Sequence, residues 1–243
     1  MGLVASAKIR GATKAMQKSR EYYGAMEETI GMLTSSKACE KSEYMKRNEN
    51  GKILLIVIAG DRGLAGGYNS NVFKMAEGIK ADKIIAIGKR SCDRYSGALI
   101  KAETFTYDDA IKISKTLCDE FKNGEYERIG IVSTKYVSML TQTPQTQWIL
   151  PLSKGEKKSR GDMLFEPDEK TVLESIIEEY VASCIISSVR ESFTSEVVAR
   201  RFAMDSAGKN AGEMIESLRL EYNRARQGAI TQEITEIVAG SGI

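Results

Sequence analysis

The chain has no histidine. Imidazole acid–base chemistry, Ser-His-Asp triads and histidine metal sites are therefore excluded, and any enzymatic chemistry would have to rest on carboxylate, Lys, Tyr or Cys side chains. Cysteine is sparse as well. Cys39, Cys92, Cys118 and Cys184 stand far apart with no C-x-x-C pair. That pattern argues against a structural zinc site or a disulfide framework, and for small buried thiols in a reducing compartment. No apolar run approaches the ~18 residues of a membrane span, and Met1–Arg20 lacks the apolar core of a secretion signal. With 243 residues, 42% hydrophobic and 28% charged, the composition is that of a folded, soluble, intracellular protein of one large domain or two modest ones.

Proline is nearly absent too, and its placement is informative. Pro144, Pro151 and Pro167 are the only three, so the first fifty residues and the last seventy-six contain none. Proline breaks helix interiors, and its absence permits very long helices at both ends of the chain. The last helix has a start signal in "EPDEKTVLESIIEEY": Asp168 is placed to cap it, and Glu169 and Glu174 favour the positive end of its dipole. The helical pattern then runs to about Ala239, a rod on the order of 100 Å at 1.5 Å per residue.

A rod of that length needs a partner. Ala211, Ile215, Leu218, Tyr222 and Ala225 repeat at the heptad spacing of a coiled coil, and past Ala229 the seam shifts to Ile230, Ile234 and Ile237. Gly208 and Gly212 fall inside this helix at about 1 kcal/mol each relative to Ala; they either allow a close helix approach or leave the rod locally weak. Tyr23, Met26, Ile30 and Leu33 form a matching stripe in the N-terminal segment, which Val4, Ala7 and Gly11 continue upstream. The expected fold is α/β: a long antiparallel two-helix coiled coil (residues 1–50 and 166–243) with an inserted Rossmann-like domain at 51–165.

The insert alternates apolar strands with helical stretches, as a mainly parallel sheet requires. "KILLIVIAG" leads through a glycine loop to a helix at 69–80, "DKIIAIG" to a short helix near 89–96, and "IKAETFT" to a helix at about 107–122. "ERIGIVST" and "TQWILPL" follow. The loop "GDRGLAGGYNSN" sits where such folds cradle phosphate, but Gly60, Gly63, Gly66 and Gly67 do not make G-x-G-x-x-G, no G-K-[ST] is present, and no acid ends the second strand. Two readings remain beside nucleotide binding at residues 60–67: a tight turn whose helix is capped by Asn69 or Asn71, and a rigid contact loop displaying Arg62.

Residues 1–20 carry Lys8, Arg10, Lys14, Lys18 and Arg20 and no acid. Such a segment suits an acidic protein surface, a nucleic acid, or simply a solvated helix face; the lack of interleaved aromatic residues counts against nucleic acid.

At the level of motifs, "DRGLAGGYNSNV" resembles the D-R-G-L-C-G-G-[FY]-N-x-N loop of the gamma subunit of F-type ATP synthases. "LEYNRARQGAITQEITEIVAG" is similar to that family's most characteristic stretch. "VASAKIRGATKAMQKSREYY" resembles its first helix, and "FEPDEKTVLESIIEEYV" and "SEVVARRFAMDSAGKNAGEMI" its last. The resemblance covers essentially the whole chain. It implies a non-catalytic central shaft with no cofactor. The implied partners are the alpha and beta subunits of the catalytic ring, the epsilon subunit and the membrane rotor ring of c subunits, with no nucleic acid and no transmembrane segment of its own. It also implies a peripheral position on the cytoplasmic side of the cell membrane.

By position, the resemblance assigns contact with the catalytic subunit to Arg226, Gln227, Thr231 and Glu233, to Lys8, Arg10 and Lys14, and to Arg62. It assigns contact with the rotor ring and epsilon to Phe165, Glu166 and Asp168. Coiled-coil stability is the alternative role for these side chains, as a scaffold unrelated to energy conversion is for the chain. Two departures stand out. Family members usually begin several helical turns earlier, so the seam at Ile230, Ile234 and Ile237 is expected to be exposed and the start incomplete. Ala65 stands where the family commonly has Cys, and the paired-cysteine insert of chloroplast members is absent, so thiol control is not expected.

Overall fold

The structure is a computed structural model that describes residues 2–49, 51–155 and 164–242, with side chains from Lys8 onward. By its contacts the chain divides into two units, Met1–Arg201 and Phe202–Ile243. The first opens with helix α1 (Gly2–Thr34), followed by two short 3-10 turns at Cys39–Lys41 and Glu43–Met45. The order is then β1 (Lys52–Ile58), α2 (Tyr68–Glu77), β2 (Lys83–Ile87), α3 (Lys89–Tyr95), α4 (Tyr107–Lys122), β3 (Tyr126–Tyr136), β4 (Gln142–Leu150) and α5 (Glu169–Gly240).

The four strands form one sheet in the order β2-β1-β3-β4. β1 pairs in parallel with β2 and β3, while β4 returns antiparallel to β3, so the sheet is mainly parallel, as the strand–helix alternation predicts. From Ile53 onward β1 is apolar because it is covered on both faces. Leu54, Ile56 and Ile58 point into the larger core with Leu117, Cys118 and Phe121 of α4 and Leu173, Ile177 and Val181 of α5. Leu55 and Val57 meet Val72 and Ala76 of α2 on the other side.

One expected strand is absent. Residues 100–106, "IKAETFT", are irregular. They end in a capping box, Thr106 with Asp109, that starts α4. Thr106 Oγ1 accepts the Asp109 N–H at 3.3 Å, and the Asp109 carboxylate accepts the Thr106 N–H at 3.0 Å. Local side-chain bonding of this kind ends extended structure and nucleates a helix.

Within the first unit α1 lies antiparallel to the opening stretch of α5. Ile9 packs with Val197 and Val198, Arg20 pairs with Glu191, Tyr23 stacks on Tyr180 with ring centroids 6.5 Å apart, and Ile30 and Leu33 join the core beside Leu173. Upstream, the buried stripe differs from the expected one. It runs through Ile9, Ala12 and Met16, whereas Gly11 is exposed. Ile9, Ala12, Met16, Tyr23, Met26, Ile30 and Leu33 keep one heptad phase, which Gly11 does not share. Val4 and Ala7 lie outside the side chains described.

α5 starts as its sequence predicts. Asp168 Oδ1 accepts the Thr171 N–H at 3.0 Å, the bond of an N-cap, and the hydrogen bonds from Thr171 hold the Asp168 carboxyl below its ordinary range. In the second unit every described residue beyond Ala203 is exposed, and Ile230, Ile234 and Ile237 are 46, 56 and 69% exposed, as expected for a seam lacking its partner. Among the described residues, and leaving aside the helix's own neighbouring backbone, no atom lies within 4 Å of where a Cβ on Gly208 or Gly212 would be. Among the described residues no helix is long and apolar enough to cross a membrane.

Candidate functional site

The glycine loop closes the carboxyl end of β1, and its conformation is set by four side chains. Asn69 does not cap α2, whose first residue follows Gly67. Its Oδ1 accepts the Gly60 N–H at 2.9 Å instead, bracing the loop against the helix. Asp61 turns inward: one carboxylate oxygen accepts the N–H groups of Lys89 and Ala102 at 3.1 and 3.0 Å, the other that of Glu103 at 2.8 Å. Asp61 thereby ties the irregular 100–106 segment and the start of α3 to the loop.

The third and fourth side chains come from α5. Glu196, 1% exposed, accepts the Arg62 N–H on Oε1 at 3.1 Å and the Asp61 N–H on Oε2 at 3.3 Å. Arg200, one turn on, pairs with the same carboxylate and donates from Nε to Gly63 O at 3.1 Å. A Cβ at Gly60 would stand 2.7 Å from Glu196 Cδ, so any other residue here would displace the carboxylate. Gly88, opposite, adopts φ +91° and would set a Cβ 1.9 Å from Ala59 O, so only glycine lets β2 pass this close to the loop.

With its backbone held this way, the loop presents two side chains outward. Arg62 is 69% exposed, and Leu64 is 77% exposed at φ 60°, the left-handed region that costs a leucine energy. Leu64 was not singled out by its sequence, because nothing in the pattern marks which loop residue will face outward. α1 approaches the same surface. Lys8 Nζ is 2.6 Å from Glu103 Oε1 and 5.6 Å from the Phe193 ring centroid, and an Arg62 guanidinium nitrogen is 3.8 Å from Glu103 Oε2. Glu103 thus gathers Lys8 and Arg62, two of the residues the sequence proposes for contact, into one basic surface. Arg10 and Lys14 are exposed on α1.

Arg226, Gln227, Thr231 and Glu233 all lie in the second unit and are exposed. The Thr231 hydroxyl donates back to the Gln227 carbonyl at 2.8 Å, and the Gln227 and Glu233 side chains are exposed. At the opening of α5, Phe165 is half-buried against the main core, Glu166 is exposed, and Asp168 is engaged in its cap. Phe165 and Asp168 therefore hold structure.

All four cysteines are free and buried, and burial pushes the thiols of Cys118 and Cys184 up to about 12, so they are not nucleophiles at neutral pH. Among the described residues no cluster of three or more Cys, Asp or Glu side chains is placed to hold a metal ion.

Comparison with known proteins decides the family. The family model described as ATP synthase matches residues 1–242. The ATP synthase gamma chain, sodium ion specific, of Acetobacterium woodii is 38% identical, over 99% of this chain and 91% of that protein. The ATP synthase gamma chain of Ruminococcus albus is also 38% identical, over 99% and 90%.

The chain belongs to the ATP synthase gamma-chain family.

Solved structures agree in fold. The Tetrahymena thermophila mitochondrial ATP synthase central stalk matches with a TM-score of 0.65 at 17% identity, covering 85% of this chain and 96% of that one. A chain of the Euglena gracilis mitochondrial ATP synthase OSCP/F1/c-ring structure in rotational state 3 matches with a TM-score of 0.58 at 17% identity, covering 98% of this chain and 97% of that one. The relatives make this chain a gamma chain of an ATP synthase, and the solved structures share its fold. In a gamma chain the glycine loop has a plain physical reading: its amide groups point at Glu196, and its exposed side chains point at solvent.

Proposed function

We propose that this gamma chain is the rotating shaft of the enzyme and performs no chemistry itself. It transmits torque between a membrane rotor ring of c subunits, driven by ion flow, and a catalytic ring of alternating alpha and beta subunits. It works at the cytoplasmic face of the cell membrane as a peripheral protein, with epsilon beside its foot. Whether the ion is a proton or sodium is set in the membrane subunits. In this reading Ile230, Ile234 and Ile237 with Gln227 and Thr231 run inside the catalytic ring as an apolar bearing with polar catches. Lys8, Arg10, Lys14 and Arg62 face an acidic lever of the beta subunit, and Phe165, Glu166 and Asp168 lie at the end facing epsilon and the rotor ring.

The single observation that carries the reading is the unsatisfied seam. A helix showing Ile230, Ile234 and Ile237 to solvent at 46–69% exposure carries an apolar seam built to be covered, as a coiled-coil shaft is by its second helix and by the ring around it. The test is to add the chain to purified alpha and beta subunits and measure ATP hydrolysis. The chain alone hydrolyses nothing, and the assembly hydrolyses ATP faster with it than without. Equal rates with and without the chain would overturn the proposal.

A further inference from the structure

In an open parallel sheet the ligand site is the crevice outside the carboxyl ends of the strands, at the point where the strand order reverses. Here the reversal falls between β1 and β3, which continue in opposite directions to β2 and β4. That crevice is filled by one polar face of α5. At the β3 end, Glu191 Oε1 accepts the Tyr136 N–H at 3.1 Å and Ser192 Oγ accepts the Thr134 N–H at 3.1 Å. Ser192 O accepts from the Tyr68 hydroxyl at 2.9 Å. At the β1 end, the two oxygens of Glu196 take the N–H groups of Asp61 and Arg62, with the Arg200 guanidinium on the same carboxylate.

Two consecutive backbone N–H groups after a strand, converging on one anion with an arginine behind it, are the donor set by which such folds hold a phosphate. We propose that the Asp61–Arg62 turn is an oxyanion cradle whose resident ligand is the chain's own Glu196 carboxylate, and that this internal ligand keeps free oxyanions such as phosphate or formate out of the switch-point crevice. Three features support a built site. The carboxylate is almost wholly buried. Each of its oxygens has its own amide donor. Gly60 leaves it in place, where a Cβ would displace it. The glycine spacing departs from nucleotide-binding patterns because the loop accommodates a carboxylate arriving from a helix, and not a pyrophosphate. The proposal rests on the chain alone and stands or falls separately from the shaft function.

The experiment uses the full chain with three substitutions, Glu196→Ala, Glu196→Gln and Glu196→Asp. Amide hydrogen exchange is read at Asp61 and Arg62, and thermal midpoints are measured with sodium formate, sodium phosphate or sodium chloride at matched ionic strength. In Glu196→Ala the two amides exchange about tenfold faster or more, since each loses its acceptor. Formate or phosphate restores protection and raises the midpoint of this variant but not of the unsubstituted chain, and chloride does neither. Glu196→Gln, which keeps the shape and one acceptor oxygen, folds, loses protection chiefly at one amide and gains nothing from formate. The proposal is overturned if formate and phosphate leave the Asp61 and Arg62 amides of Glu196→Ala unprotected. It is equally overturned if they protect the unsubstituted chain to the same degree. Should Glu196→Ala not fold, Glu196→Asp decides. A carboxylate withdrawn by one methylene leaves the two amides exchanging faster, and formate slows them; no change at either amide contradicts the cradle.

Discussion

Lys8 and Glu103 are 2.6 Å apart, Nζ to Oε1, and join the first helix to the segment beneath the glycine loop. Arg62 approaches the other oxygen of the same carboxylate, so one acid partly neutralises two bases on the surface proposed to meet an acidic partner. All three side chains are about a third exposed or more. Glu103→Gln is therefore expected to cost the fold no more than about 1 kcal/mol, measured by chemical denaturation. It should also tighten association with the catalytic ring at low salt and lose that gain at high salt, as unmasked charge does. A binding titration at two ionic strengths checks both.

The Glu191 carboxylate is nearly buried and serves the Tyr136 N–H and Arg20 together, with Arg20 also donating to Tyr136 O at 2.6 Å. Replacing it with Ala leaves a backbone donor unpaired at the end of β3. The expected cost is about 1–3 kcal/mol, several times that of Glu103→Gln and visible in the same denaturation curves.

Hydrogen bonds from Thr106 hold the Asp109 carboxyl below the 3.8 of an ordinary aspartate. Because the folded value is the lower one, the cap's stabilisation is complete above that ordinary value and is lost as the pH falls through the folded value. Thr106→Ala should cost about 1 kcal/mol at neutral pH and flatten the acid limb of the stability curve. Denaturation midpoints between about pH 2 and pH 7, the range that spans carboxylate titration, supply the check.

Glycines in the two units should respond in opposite directions. Gly88→Ala places a Cβ against Ala59 O at a positive φ and is expected to prevent soluble expression or cost well over 3 kcal/mol, as combined strain and overlap do. Gly208→Ala and Gly212→Ala meet open space and should each raise the helicity of the isolated chain, gaining up to about 1 kcal/mol. Circular dichroism melts of the three variants distinguish the cases.

The long elements were legible because their signals are periodic and local. Asp168 caps α5 where the acidic start signal stood, the heptad phase of Tyr23, Met26, Ile30 and Leu33 marked the buried side of α1, and the apolar run of β1 marked a strand covered twice. The expected contacts Lys8 and Arg62 do share a surface, but Glu103, which brings them together, lay in a segment read as a strand. Its acceptor–donor bonds to Asp61 span about forty residues and leave no periodic trace. Glu196 was equally hidden. In the sequence it is one more acid on a helix, and only the arrival of the loop from over a hundred residues away makes it the ligand of two amides. Asn69 seemed a helix cap because caps are local; the loop's need for an acceptor at Gly60 took precedence.

The most direct measurement of the shaft function is rotation. Val137, 59% exposed, offers a position for a single reactive thiol, since the four native cysteines are buried. A Val137→Cys chain assembled with immobilised alpha and beta subunits would carry a bead through that thiol. ATP is expected to drive the bead in continuous, one-directional turns that stop when ATP is removed. A bead that stays still while the same assembly hydrolyses ATP would contradict the account.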